Sequence, residues 1–284
     1  MQKVFNLLVV GLLLLTGAAV VQAEPFGRDV FRTRWERTDL PVQRNVANRS
    51  WVWGPEPFTE VLMEPYEDGI DGQRTVQYLD KSRMEINDPN APPSQPWFVT
   101  NGLLVTEMIR GEIQVGQSEF IPASPANIPI AGDPDNSFPT YAGLARLFGT
   151  PAGNQPGEYV TGVFLPEGAG EFPQYAGAVA TEIVQVERGF GIPRAFWNYM
   201  NQQGVIYRNG RFVENQPLFE WVYVLGYPVT DAYWTRVRVG DVERDVMFQA
   251  FERRILTYTP SNVGPWQVEM GNVGRQYYEW RYGE

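Results

Sequence analysis

Asp80-Lys81 and Glu252-Arg253 set a carboxylate beside a cation at two points 172 residues apart, each directly after an apolar residue, Leu79 or Phe251. A carboxylate that accepts sugar hydroxyls, next to a cation that donates to them, makes a polar clamp for a glycan. The same pairs also suit an ion pair that fixes a bend between strands and so holds two repeats together. Gln77 and Gln249, three residues before each acid, carry the same two readings. Trp53, Trp97, Trp234 and Trp266 gather around these stretches, with Trp51 and Trp221 nearby. An exposed indole face stacks on the apolar C–H surface of a sugar ring, and an enclosed one fills the core.

Other chemistry is narrower. The chain has no His and no Cys, which excludes thiolate nucleophiles, Ser-His triads, disulfide scaffolding and the usual zinc sites. Carboxylates, Ser, Tyr and Lys remain. A glycosidase needs two carboxyls about 5 to 10 Å apart in a cleft, and Asp80 with Glu85, or Glu182 with Glu187, are the nearest local pairs. No catalytic residue is assigned, and a carboxylate-dependent glycoside hydrolase stands as an alternative. Asp133-Pro134-Asp135-Asn136 is rich in oxygen, but its spacing misses the EF-hand loop and it reads as a solvated turn. No metal and no cofactor are expected.

Residues 1–23 carry Lys3, an apolar run over 7–21 and a small-x-small end at Val21-Gln22-Ala23, the pattern of a signal peptide cleaved after Ala23. Export, to the medium or the cell envelope, is therefore expected, with no membrane attachment after cleavage. Without Lys3 the chain has 22 basic and 33 acidic residues, a net charge of −11. That balance argues against nucleic acid and anionic membrane surfaces as partners. With no disulfides the fold rests on packing, for which nine Trp, 14 Tyr and 16 Phe supply much of the surface.

The elements that would position these residues come in two copies. Setting Gly54 against Gly226 brings Gln77 onto Gln249, and after a three-residue gap Trp97 falls on Trp266 and Gly102 on Gly271. Gly54-Pro55 and Gly226 with Pro228 read as matching turns, and Gly102 and Gly271 as matching closing glycines. Each copy opens with an amphipathic helix, over 29–38 with Phe31 and Trp35 at i, i+4, and over 193–204 with Phe196 and Met200; Pro41 is expected to stop the first. Asp68-Gly69, Asp71-Gly72 and Asn209-Gly210 suit tight turns. The run 74–86 reads as one bent strand or two short ones, 97–99 as a strand and 102–109 as a closing helix. Between the copies, Phe138-Pro139-Thr140-Tyr141-Ala142-Gly143 is echoed by Phe172-Pro173-Gln174-Tyr175-Ala176-Gly177, with helices expected over 141–148 and 175–187.

Leu225-Gly226-Tyr227-Pro228, then Gln249-Ala250-Phe251-Glu252, Tyr258-Thr259-Pro260 and the stretch 266–271 resemble the LGFP repeat, with a degraded first copy over 51–109 and a better one over 221–278. The first copy departs from the pattern in its Trp53-Gly54-Pro55-Glu56-Pro57 turn, and the second has Arg253-Arg254-Ile255 where a glycine usually follows the acid. The resemblance implies an exported cell-envelope protein that helps attach to the wall.

Together these readings predict an α+β, mainly β fold: two related repeats of short antiparallel strands with short flanking helices, around a Gly/Pro/Ala-rich middle segment. The expected units are a leader over 1–23, a first repeat unit over 24–115, a middle segment over 116–192 and a second repeat unit over 193–284, with 24–284 one body. The expected function is non-catalytic binding of cell-wall or extracellular polysaccharide through Trp53, Gln77, Asp80, Trp97, Trp234, Gln249, Glu252 and Trp266. A protein-interaction scaffold of the envelope is the further alternative. Composition and spacing fix no oligomeric state.

Overall fold

Both charged dipeptides sit where the chain reverses between antiparallel strands. The computed structural model describes residues 25–283, so the expected leader lies outside the described residues. In the first copy the run 74–86 is two strands, Gln73–Leu79 and Ser82–Ile86, reversing at Asp80-Lys81. Leu62–Pro65 and Thr100–Asn101 flank them to complete a four-stranded sheet. In the second copy Tyr233–Val239, Val242–Ala250, Ile255–Tyr258 and Val268–Met270 take the same order. The architecture is α+β and mainly β.

The middle segment takes part in the second sheet. Its hairpin Gly162–Leu165 and Gly168–Glu171 joins the second sheet, Val163 pairing in parallel with Trp234, and makes that sheet six-stranded. Helix is scarcer there than expected. The first helix covers only Tyr141–Leu144, and 175–187 holds short 3-10 turns followed by a strand, Ile183–Glu187, that turns back on Phe190–Pro193. The turn is Arg188-Gly189, both residues at positive φ. Arg188 is not a residue type that announces such a turn, so the run lacked its usual signal. The Asp71-Gly72 and Asn209-Gly210 pairs do adopt positive φ at both residues, as tight hairpin turns require.

The opening helix is longer than its proline suggested, Asp29–Gln43 rather than 29–38. Pro41 lies in its last turn, where little helix remains to be disrupted. Phe31 and Trp35 are buried on one face, and the second opening helix, Arg194–Met200, buries Phe196 and Met200 likewise. Residues 97–99 are loop instead of strand, because the short strand begins at Thr100.

Hydrogen bonds show how far the copies correspond. The Gln77 side-chain amide donates to the Thr59 carbonyl at 3.0 Å and that of Gln249 to the Thr230 carbonyl at 3.0 Å. The next backbone N–H in each copy, of Tyr78 or Ala250, donates to the same threonine's hydroxyl at 3.1 Å. Pro57 bridges to Leu79 as Pro228 bridges to Phe251. The counterpart of Pro228 is therefore Pro57 and not Pro55, the first turn having one extra residue between glycine and proline. Gly54 and Gly226 both have positive φ, and a Cβ on Gly226 would lie 2.6 Å from that of Glu252. Gly102 is needed for space, since its Cβ would fall 2.6 Å from the Arg83 guanidinium. Gly271 has room, with no neighbour nearer than 3.8 Å.

The copies then lock together reciprocally. Lys81 Nζ of the first donates to the Met270 carbonyl of the second at 2.6 Å, and Arg253 Nε of the second donates to the Asn101 carbonyl of the first at 3.0 Å. Arg275 N–H donates to the Asp80 carbonyl, and Thr106 N–H to the Glu252 carbonyl. Exchange of equivalent contacts is the signature of a two-fold interface, found here inside one chain. Each closing helix, Leu104–Arg110 or Val273–Tyr282, begins against the other copy's reversal.

A buried ionic cluster fastens the last helix to the first sheet. Arg83, fully enclosed, lies 2.6 Å from Glu85, 3.2 Å from Glu64 and 3.5 Å from Glu107. Arg74 and Arg281 each approach Glu64 at 3.1 Å. Tyr78 donates its hydroxyl to Glu64 at 2.6 Å and Tyr277 donates to Glu107 at 2.5 Å. Three carboxylates thus face three guanidiniums. Burial alone would raise the Glu64 carboxyl, but Arg83, Arg281 and Arg74 together hold it down at about 2.

Candidate functional site

Four of the eight residues expected to meet a ligand are enclosed. Trp53 is 2% exposed, and Gln77, Trp234 and Gln249 are 0% exposed. Both glutamine amides are engaged by carbonyls within the fold, Gln77 also by Pro25 and Gln249 also by Gly191. Trp234 donates its N–H to the Val160 carbonyl at 2.8 Å and is stacked on Tyr175 with ring centroids 3.7 Å apart. These side chains offer no face to a sugar ring, and they are corrected to core residues. Asp80 accepts from Arg275 Nε at 2.6 Å, and Glu252 pairs with Arg188 at 3.2 Å while accepting the Tyr227 N–H at 3.1 Å. Of the two readings of the dipeptides, these contacts match the ion pair at a bend.

The carboxylate pairs and the acidic turn are also occupied. Glu85 is buried among arginines, Asp80 is paired as above, and Glu182 meets Arg194 at 2.6 Å. Asp133 accepts the Gly240 and Asp241 N–H groups at 2.9 and 3.0 Å, so it closes the hairpin turn between Val239 and Val242.

Trp97 and Trp266 remain, equivalent in the two copies and 52% and 39% exposed. Trp97 lies against Tyr223, ring centroids 5.3 Å apart, at a cavity of about 270 Å³. Three separate stretches wall it: the opening helix through Arg34, Arg37 and Thr38, the loop at Pro96-Trp97, and residues 218–224 through Phe219 and Tyr223. Trp53 lines it as well, held by its backbone: Asp39 accepts the N–H groups of Val52, Trp53 and Gly54 at 3.0, 2.7 and 3.2 Å. Burial pushes the Asp39 carboxyl up to about 6 against those three bonds.

The arginines tie the walls together. Arg34 Nη2 donates to the Pro96 carbonyl at 2.9 Å and its guanidinium lies 5.5 Å from the Tyr223 ring. Arg37 Nη2 donates to the Pro217 carbonyl at 3.0 Å. Neither has a carboxylate within 4 Å among the described residues. Beyond them a second cavity of about 580 Å³ runs between Val30, Thr33 and the hairpin tip at Arg208-Asn209-Gly210, so the two arginines border both spaces. Two groove residues also keep buried polar atoms with no hydrogen-bond partner, Thr38 Oγ1 and Trp53 Nε1. Behind Trp53, at 5.5 Å from its ring, is the fully buried Arg254, pushed down to about 9 by burial and with Nε and Nη2 unpartnered.

The second copy has a counterpart of the second cavity with different chemistry, and Trp266 does not line it. A cavity of about 470 Å³ is lined by Ala195, Asn198, Tyr199 and Gln202, each 165 residues beyond Val30, Thr33, Arg34 and Arg37, and by Pro265 and Val268, each 169 beyond Pro96 and Val99. Tyr199 and Gln202 stand where the first copy has Arg34 and Arg37. The helix needs its buried positions 31 and 35, or 196 and 200, in order to pack, and it packs in both copies without sharing the arginines. No family model, curated protein or solved structure matches the chain at a significant level.

With respect to chemistry, the first groove offers a half-exposed indole face, a neighbouring phenol ring and two pinned guanidiniums. Such a set stacks on apolar ring faces and donates hydrogen bonds. Sequence reasoning found Trp97 and missed Arg34, Arg37, Phe219 and Tyr223. The available signal was the mismatch Arg34/Tyr199 and Arg37/Gln202 on two helices that otherwise align.

Proposed function

We propose that the chain is an exported, non-catalytic binding module of the cell envelope that holds a cell-wall or extracellular polysaccharide in the groove at Trp97. The observation that carries this reading is the exposed Trp97 indole beside a walled cavity, with Tyr223 against it and arginine donors at its edge. An indole face over a sugar ring contributes stacking, and the donors fix its orientation through ring hydroxyls. The signal-peptide pattern over 1–23 supports export, and the LGFP-like pattern over 221–278 supports an envelope location.

The test is co-sedimentation of residues 24–284 with purified cell wall and insoluble polysaccharides, beside Trp97→Ala. Retention of the parent and its loss in the variant is expected; no retention on any wall or polysaccharide fraction defeats the glycan reading.

A further inference from the structure

The chain carries a formal charge of −10, yet the second cavity, which Arg34 and Arg37 share with the groove, is lined by three arginines against one acid, Glu36, and the groove itself adds only Glu220. Arg34 and Arg37, one helical turn apart on the same face, are joined from the hairpin tip by Arg208. We infer that the groove takes an acidic saccharide, whose carboxylate or sulfate group sits between Arg34 and Arg37; this rests on the glycan reading above and names its ligand class.

Two observations support it independently. Each guanidinium bonds wall carbonyls through Nη2 alone, Arg34 those of Gln95 and Pro96 and Arg37 that of Pro217, and no protein acceptor is found for its Nε or Nη1 among the described residues. A guanidinium already pinned by one bond loses little freedom when an oxyanion takes its remaining fork. The other is mutual repulsion. Apart from burial, which is the larger effect, Arg208 and Arg34 both disfavour the charge on Arg37, and Glu220 offsets this only in part. An anion placed among the three would relieve that repulsion. The second copy is an internal control, since Tyr199 and Gln202 at the matching positions build a comparable cavity whose one charged lining residue, Arg194, is paired with Glu182 at 2.6 Å. The arginines are therefore not there to shape the groove.

General attraction cannot mimic this site, because a polyanion meets an acidic protein and is repelled except where a local cluster holds it. The experiment is affinity electrophoresis of residues 24–284 in gels containing polygalacturonate, its fully methyl-esterified form, dextran sulfate or dextran, at low and high salt. At least a tenfold tighter interaction with a charged polymer than with its neutral counterpart, weakening as salt rises, is expected. Arg34→Gln/Arg37→Gln should remove that difference between charged and neutral polymers, while Tyr199→Ala/Gln202→Ala should leave the difference unchanged. Polygalacturonate or dextran sulfate as the better ligand distinguishes carboxylate from sulfate. Equal binding of charged and neutral forms overturns the acidic inference and keeps the glycan reading. No binding to any of the four, nor to cell wall, overturns both. Should the double variant fold poorly, Arg208→Gln, at an exposed hairpin tip, is expected to lower charged-polymer affinity about threefold, and no change there counts against the inference.

Discussion

Arg83→Met removes the centre of the buried ionic cluster while keeping a side chain of similar length. Arg83 is fully enclosed and lies within 4 Å of Glu64, Glu85 and Glu107. Its loss leaves three carboxylates facing only Arg74 and Arg281, so one negative charge becomes uncompensated in the interior. Breaking a buried pair from one side costs about 3–5 kcal/mol. Proton linkage gives an independent figure for one member of the cluster. Glu64 falls from its ordinary 4.5 to about 2, and at about 1.4 kcal/mol per pH unit that depression corresponds to about 3 kcal/mol. The sign follows from the direction: a depressed acid stabilises the fold above about pH 4.5, and that contribution is lost as pH falls toward 2. Urea unfolding at pH 7 should therefore show a loss of about 3–5 kcal/mol, or about 10 °C in Tm for a domain of this size. The gap between parent and variant should narrow below about pH 4, because Glu64 in the variant has less depression to lose. A loss under about 1 kcal/mol at pH 7, or a gap that does not change with pH, would refute a charge-balanced cluster holding the last helix.

Three further outcomes follow from named contacts. Gly226→Ala puts a Cβ 2.6 Å from that of Glu252 at a φ of 76°, so a loss of about 1–3 kcal/mol in chemical denaturation is expected; the same change at Gly271, which has space, should cost less. Trp234→Ala empties the core and should cost about 3–5 kcal/mol, whereas Trp97→Ala, half exposed, should cost under about 1 kcal/mol, which a pair of thermal melts separates. Lys81→Met removes one half of the reciprocal lock to Met270, and Arg253→Met the other to Asn101. Each should lower stability by about 1–3 kcal/mol as its carbonyl loses a charged donor, seen as a lower urea midpoint.

The duplication was legible because it is carried by residue types with fixed backbone or packing roles. Gly54 and Gly226 are at positive φ, and Gln77 and Gln249 reach the same carbonyl in each copy. Asn209-Gly210 announced its hairpin for the same reason, whereas Arg188-Gly189 did not. The ionic cluster was hidden by the logic of strands. Arg74, Arg83 and Glu85 lie on strands where alternation places charge toward water, but the helices Leu104–Arg110 and Val273–Tyr282 add Glu107, Tyr277 and Arg281 to the cluster and close it. Six of the eight binding candidates were drawn from residues that the copies share, and of these Gln77, Asp80, Gln249 and Glu252 proved to hold the fold together, whereas Trp97 and Trp266 stay exposed. The groove lies where the copies differ, and its walls come from 34–38, 96–97 and 218–224, which no local pattern brings together.

The most direct measurement of the central claim is the binding isotherm of residues 24–284 against the polysaccharide retained in co-sedimentation, for the parent and Trp97→Ala at matched thermal stability. A loss of at least tenfold in affinity with an unchanged melt is the predicted result. Equal affinity of the two proteins, or no measurable binding by the parent, contradicts a glycan site at Trp97.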